Sequence, residues 1–159
     1  YTVFMARKIF GEEPISISAK LNVDDKFNVD MSGAAFTEFP GGKLAFAAFN
    51  FDAVYQNNYS VWGSKGLIKV KRAYSIPPDM KPEVALIANK DAKETVEEIE
   101  IPAANHFELI FKDFCDTVLN RDAKKTASKL NKIQNQAKAL EAVRISAREN
   151  RKVLISEFK

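Results

Sequence analysis

The chain has 159 residues, 46% of them hydrophobic and 28% charged, with a formal net charge of +3 at pH 7. This fits about one domain and excludes a disordered chain. One cysteine, Cys115, and one histidine, His106, exclude an internal disulfide and predict no metal site. Scattered basic residues predict no nucleic-acid partner, the lack of a long apolar run predicts no membrane partner, and the scarcity of cysteine favours a cytoplasmic protein.

Residues 1–11 predict the end of a helix. The apolar residues recur at helical spacing, at Val3, Phe4, Ile9 and Phe10. Gly11 fits the left-handed position after the last turn, and Pro14 prevents the helix from continuing. The segment has neither an initiating methionine nor a capping residue. We therefore expect a fragment of a longer protein.

Residues 15–101 predict a sheet. Residues 15–23 alternate between apolar and polar, which is typical of a strand with one buried face. Residues 27–39 and 44–51 predict a hairpin, because Pro40, Gly41 and Gly42 between them favour a turn. Further strands are predicted at 55–62, 67–72, 84–88 and 96–101, the last at an edge.

Strand 44–51 is apolar on both faces. This pattern predicts a central strand with the domain's own helices on one face and another domain or subunit on the other. Trp62 is predicted to lie in the core.

Residues 105–150 predict two helices. Asn105 and Glu108 fit a capping box that starts a helix ending near Asn120. A second helix is predicted from 126 to 150. Its expected buried stripe consists of Leu130, Ile133, Ala137, Leu140, Val143 and Ala147. Residues 153–155 add a short strand.

The predicted fold class is α+β. We expect a single domain over residues 1–159, with a large open, mostly antiparallel sheet of six or seven strands and helices packed on one face.

The sequence contains no complete catalytic motif. His106, in the first helical turn, fits a surface residue beside the cap, or a substrate contact, because helix N-termini favour anions. Cys115, near Phe111 and Phe114, fits a packed, inert thiol better than a nucleophile.

Four segments in one order resemble the C-terminal domain of the Gfo/Idh/MocA family (glucose–fructose oxidoreductase, inositol dehydrogenase and rhizopine catabolism). The resemblance covers residues 1 to about 155. The segments are FGEEP at 10–14, FPGG at 39–42, YSVWGSKGLIKV at 59–70 leading into AYSIPP, and AVRISARENRKV at 142–153. The resemblance implies a Rossmann NAD(P) domain before residue 1. It also implies an open sheet that helps form the substrate pocket and packs against a second subunit.

The glucose–fructose oxidoreductase and dihydrodiol dehydrogenase branch of the family has a D-x-G-x-Y pattern before FGEEP, and Tyr1 would be its tyrosine. The resemblance then implies that Tyr1 exchanges a proton with the substrate's carbonyl or hydroxyl near a Rossmann-domain lysine. Asn105 and His106 are candidate substrate contacts. Asn150 stands where the family usually has glycine, and asparagine can also adopt the left-handed conformation.

Two functions follow from these observations. The first is the substrate-binding and oligomerisation domain of an NAD(P)-dependent oxidoreductase that acts on a sugar, sugar derivative or diol. The absent Rossmann domain would bind NAD or NADP, the fragment alone would be inactive, and the sheet face would form a homodimer or higher oligomer. The alternative is a non-catalytic dimerisation or binding module with the same fold.

Overall fold

The computed structural model describes residues 1–91 and 93–158. The chain divides into two compact units, the first formed by Tyr1–Val54 and Ala123–Lys159 and the second by Tyr55–Asp122. In chain order the elements are α1 (Thr2–Phe10), β1 (Ser16–Asp24), β2 (Val29–Glu38), β3 (Leu44–Asn50), β4 (Asn58–Gly63), β5 (Gly66–Lys71), β6 (Glu83–Lys90), β7 (Lys93–Ile99), α2 (His106–Leu119), α3 (Ala123–Glu149) and β8 (Val153–Leu154). Short 3-10 turns occupy Pro40–Gly42 and Ile155–Glu157.

Helix α1 ends as its sequence predicts. Gly11 adopts the left-handed conformation with φ of 65°, and its N–H donates to the carbonyl of Arg7 at 3.0 Å. A side chain at this φ would be strained, so glycine closes the helix without that cost.

The first unit contains an antiparallel sheet with the strand order β3-β2-β1-β8. Ile17 on β1 pairs with Val153 on β8, and both side chains are fully buried. The core against α3 consists of Ile17, Ala19, Ala35, Ala139, Ala142 and Val153. The predicted alternation of β1 therefore holds at its centre, whereas Ile15 and Val23 near the strand ends are exposed.

The prediction for residues 44–51 was wrong in one respect. The hairpin forms, but β3 is an edge strand of this sheet and not a central one. Leu44 and Phe46 on one face are exposed, whereas Ala45 and Ala47 on the other are half-buried. An apolar strand can thus lie at an edge when one of its faces is left uncovered.

Helix α3 buries a different face from the one predicted. Ala139, Ala142 and Ser146 are buried, whereas Leu130 and Ile133 are exposed. Small side chains let the helix approach β1 closely, so the contact forms where the residues are small and not where they are largest. Asn150 follows α3 with φ of 54°, which confirms the left-handed conformation expected there.

The second unit contains an antiparallel sheet with the order β4-β5-β6-β7. The predicted edge strand near residue 96 is confirmed as β7, which is exposed along its whole length. Trp62, predicted to be in the core, is 90% exposed. The apolar residues of α2, among them Phe111 and Phe114, are exposed as well.

The fold class α+β is confirmed, but the prediction of one large sheet is wrong, because the described residues form two four-stranded antiparallel sheets. Hydrophobic alternation identifies strands but not their partners, which depend on contacts distant in sequence. Within the described part of the chain, no helix is long and apolar enough to span a membrane.

Candidate functional site

Tyr1 lies at the N-cap position of α1, and the residue is 79% exposed. Its carbonyl accepts a hydrogen bond from the N–H of Met5 at 2.9 Å, which is the first bond of the helix. Two residues further along, Val3 packs against the core formed by α3 and the first sheet. The backbone that carries the phenol is therefore fixed, while the phenol itself is accessible.

Arg7 fixes α1 to α3. Its guanidinium is buried and donates two hydrogen bonds to the carboxylate of Glu13, from Nε at 2.6 Å and from Nη2 at 2.7 Å. A further N–H donates to the side chain of Gln136 on α3. This planar, bidentate arrangement sets orientation as well as distance.

The carboxylate of Glu13 is held in its charged form. The hydrogen bond from Arg7 lowers the pKa of Glu13, although partial burial acts in the opposite direction. The side-chain amide of Asn135 also donates to Glu13, at 3.1 Å. The only local signal in the sequence for this cluster is the presence of Arg7 in a helix rich in apolar residues.

The C-terminal end of α1 packs against the turn between β2 and β3. The rings of Phe10 and Phe39 meet edge to face with 4.8 Å between their centroids. The ammonium of Lys43 lies 2.7 Å from the carboxylate of Glu12 and 5.9 Å from the centroid of Phe10. These contacts and the Arg7 cluster hold α1 at both its C-terminal end and its middle.

A shallow cavity of about 590 Å³ lies on the first unit, lined by Ser18, Ala34, Phe36, Phe46, Ala48 and Lys152, among others. The rings of Phe36 and Phe46 are 5.0 Å apart across β2 and β3. Beside the cavity, the buried hydroxyl of Ser16 donates to Glu38, and Lys152 donates to the same carboxylate at 3.3 Å. The hydrogen bond from Ser16 is the main cause that lowers the pKa of Glu38, and the hydrogen bond from Lys152 lowers this pKa further.

The other two predicted site residues lie in the second unit. Asn105 is the N-cap of α2, and its side-chain oxygen accepts from the N–H of Glu108 at 3.2 Å. This is one of the two bonds of the predicted capping box. His106 is the first residue of α2 and is half-buried. Tyr1 belongs to the first unit, so these candidates do not form one cluster within a single unit.

A strained loop in the second unit was not identified from the sequence. Arg72 and Ser75 have φ of 53° and 46° on either side of Tyr74. The side-chain amide of Asn57 donates to the carbonyl of Tyr74, and its oxygen accepts from the N–H of Tyr74 at 2.8 Å. Burial raises the pKa of Tyr74. Backbone strain of this kind is often found at functional sites.

Cys115, expected to be packed, is exposed. Among residues 1–91 and 93–158, no group of three or more histidine, cysteine, aspartate or glutamate side chains is placed to hold a metal ion.

Comparison with known proteins finds a family match over part of the chain. The family description of the GFO/IDH/MocA C-terminal domain matches residues 1–69. The matched part of the chain includes α1, the first hairpin and Tyr1.

Individual proteins are also similar to this chain. The dTDP-3,4-didehydro-2,6-dideoxy-alpha-D-glucose 3-reductase of Saccharopolyspora spinosa is 32% identical over 75 residues, covering 47% of this chain and 21% of the relative. The crystal structure of KijD10, a 3-ketoreductase from Actinomadura kijaniata in complex with NADP, superposes with a TM-score of 0.81 at 25% identity, covering 92% of this chain and 45% of KijD10.

The aldose-aldose oxidoreductase of Caulobacter crescentus shares the fold, with a TM-score of 0.71 at 22% identity, over 97% of this chain and 45% of its own. The chain thus spans less than half the length of these relatives. They do not single out the glucose–fructose oxidoreductase and dihydrodiol dehydrogenase branch.

Proposed function

We propose that this chain is the substrate-side domain of an NADP-dependent oxidoreductase that interconverts a keto group and a hydroxyl group on a sugar ring. The fold it shares with KijD10, a 3-ketoreductase in complex with NADP, supports the reaction class and the cofactor. The relative named as a dTDP-deoxyglucose 3-reductase favours a nucleotide-linked deoxysugar as the substrate class. The complete protein, including a dinucleotide-binding domain, carries the activity.

The single observation that carries this proposal is the fixed and accessible position of Tyr1 on the family-matched segment. When bound, a nicotinamide supplies the hydride that reduces the carbonyl carbon. The phenol of Tyr1 then donates its proton to the carbonyl oxygen, which becomes a hydroxyl. In the reverse direction the phenolate accepts that proton. A neighbouring ammonium group from the other domain would make the phenol a stronger acid.

Anchoring of α1 supports this role. A proton donor must be held within hydrogen-bond distance of the reacting oxygen. Arg7 bonds to Gln136 on α3 and Val3 packs against the core of the first unit, both within two turns of Tyr1. The exposed rings on the open face of the first sheet, such as Phe46, support the further proposal that this face is covered by a second subunit.

The test uses the full-length protein with Tyr1→Phe. We expect kcat for ketosugar reduction to fall about 10²- to 10⁴-fold, because one general acid contributes about that much. Substrate affinity, measured by calorimetry, should change little. Tyr55→Phe is the matched control, since Tyr55 is also an exposed tyrosine but lies in the second unit. Normal turnover of Tyr1→Phe would refute the role of Tyr1.

A second measurement separates this proposal from a non-catalytic module. We expect the isolated 159-residue chain neither to bind NADP tightly nor to turn over substrate, whereas the full-length protein does both. Calorimetry on the two proteins decides. Full-length protein that binds no dinucleotide would favour the binding-module alternative.

A further inference from the structure

One side of α1 makes three contacts within the first unit. Val3, Arg7 and Phe10 are separated by four and three residues, so their side chains lie on the same side of the helix. Val3 packs against the core, and Phe10 meets Phe39 edge to face. Arg7, between them, is buried. All of these residues belong to the first unit, so this side of α1 faces its own unit.

Arg7 forms the hydrogen bonds between this side of α1 and α3. Its Nη1 donates to the side-chain oxygen of Gln136, and its Nη2 donates to the carbonyl of Lys132 at 3.4 Å, one turn earlier on α3. Glu13, which accepts two hydrogen bonds from Arg7, also accepts one from Asn135. One turn of α3 therefore holds both the guanidinium and its carboxylate partner.

The two kinds of contact constrain α1 differently. The apolar contacts of Val3 and Phe10 are non-directional, so on their own they permit the helix to roll or slide. The planar guanidinium of Arg7 requires its acceptors at fixed angles, so its hydrogen bonds select one orientation of the helix. Replacement of a buried ion pair by apolar side chains of similar volume is often neutral for stability. The contribution of Arg7 to orientation can therefore be separated from its contribution to stability.

Tyr1 precedes Arg7 by six residues, which corresponds to about 9 Å along a helix axis. A tilt of α1 by about 10° at Arg7 would move the backbone of Tyr1 by about 1.5 Å. A displacement of about 1 Å at a reacting group can lower the rate about 10²-fold. The orientation of α1 at Arg7 therefore matters for any proton transfer by Tyr1.

We propose that Arg7 and Gln136 are positioning residues for the reaction, because together they set the orientation of α1 and thereby the place of the Tyr1 phenol. This inference rests on the proposed role of Tyr1 as a proton donor. It assigns part of the turnover rate to a contact between two residues that are 129 positions apart in the sequence.

The test is a double-mutant cycle in the full-length protein, with kcat for ketosugar reduction measured for Arg7→Met, Tyr1→Phe and the double variant. Arg7→Met keeps an unbranched apolar side chain but removes every hydrogen bond of the guanidinium. We expect it to lower kcat about 10- to 100-fold, with substrate affinity by calorimetry little changed. Because Arg7 acts through Tyr1, the same substitution in the Tyr1→Phe background should change kcat less than about twofold.

Two further variants support the cycle. Lys8→Met is the matched control, because Lys8 is the neighbouring basic residue of α1 and is exposed, and it should leave kcat within about twofold of wild type. Gln136→Met removes the acceptor on α3 and leaves the pair of Arg7 with Glu13 in place, so it tests the inference even if Arg7→Met does not fold. It should lower kcat about 3- to 10-fold, and only while Tyr1 is present.

The outcomes separate this inference from the proposed function. Normal turnover of Tyr1→Phe would refute the role of Tyr1 and this inference with it. An impaired Tyr1→Phe, together with normal turnover of folded Gln136→Met and Arg7→Met, would overturn this inference alone. Equal losses from Arg7→Met or Gln136→Met with and without the Tyr1 phenol would also overturn it, because the effect would then not pass through Tyr1. Urea unfolding establishes that each variant is folded under the assay conditions.

Discussion

Arg7 on α1 and Glu13 in the loop after it form a bidentate ion pair, with N–O distances of 2.6 Å and 2.7 Å. The two partners differ in burial. The side chain of Arg7 is only 6% exposed, whereas that of Glu13 is 42% exposed. Loss of the glutamate therefore leaves a buried cation with Gln136 as its remaining side-chain partner, while loss of the arginine leaves a carboxylate that water can reach.

We expect Glu13→Ala to reduce the free energy of unfolding by about 1–3 kcal/mol, because it leaves the buried Arg7 guanidinium without its carboxylate. The exposure of Glu13 keeps the effect below that of a fully buried pair. Urea unfolding followed by circular dichroism measures it. Glu141→Ala, which removes the exposed pair with Arg144 on α3, should change stability by less than about 0.5 kcal/mol. Equal effects of the two variants would contradict a special role for Arg7.

The same pair predicts a dependence of stability on pH. The pKa of Glu13 lies below its ordinary value of 4.5 in the folded state, chiefly because of the hydrogen bond from Arg7. Its contribution is therefore fully present above pH 4.5 and is lost as the pH falls through the folded-state pKa. Urea midpoints between about pH 3 and pH 7 should fall more steeply in wild type than in Glu13→Gln. Parallel curves for both proteins would show that Glu13 makes no such contribution.

Local signals in the sequence were sufficient to predict where several helices begin or end. Gly11 ends α1, Asn105 begins α2, and Asn150 follows α3 in the left-handed conformation. Each of these depends on the residue's own backbone preferences or on a side chain that bonds within one turn. Such determinants can be identified without knowledge of the rest of the fold.

Contacts between residues distant in sequence could not be predicted from such local signals. The apolar faces of residues 44–51 fit a central strand equally well, but β3 lies at an edge. On α3 the large residues Leu130 and Ile133 suggested the buried face, yet the sheet contacts Ala139 and Ala142. In the candidate site, the Arg7 cluster depends on Gln136, which is 129 residues away in the sequence. No local pattern indicates such a contact.

Ser146 links α3 to β1 and to Arg151, two residues before β8. Its buried hydroxyl accepts from the N–H of Ala19 at 2.8 Å and donates to the carbonyl of Arg151 at 2.6 Å. We expect Ser146→Ala to cost about 1–3 kcal/mol in the free energy of unfolding, because both backbone groups lose this partner. Ser128→Ala on the exposed part of the same helix should be neutral or slightly stabilising. A neutral Ser146→Ala would mean that water replaces the hydroxyl.

Asn150, the residue after α3, has a left-handed backbone conformation that both glycine and asparagine can adopt. With φ of 54°, the position disfavours side chains generally, but asparagine tolerates it and glycine does so without strain. Its side-chain oxygen also accepts a hydrogen bond from the ammonium of Lys20. Because this bond is exposed to solvent, it contributes little to stability.

We expect Asn150→Gly to leave stability within about 0.5 kcal/mol of wild type and Asn150→Ala to lower it by about 1 kcal/mol, because alanine has a Cβ and no compensating side-chain bond. Urea unfolding of both variants measures the difference. Lys20→Met separates the two effects, since it removes the hydrogen bond without changing the backbone at residue 150. If Lys20→Met were as destabilising as Asn150→Ala, the side-chain bond, and not the left-handed backbone, would be the reason for asparagine here.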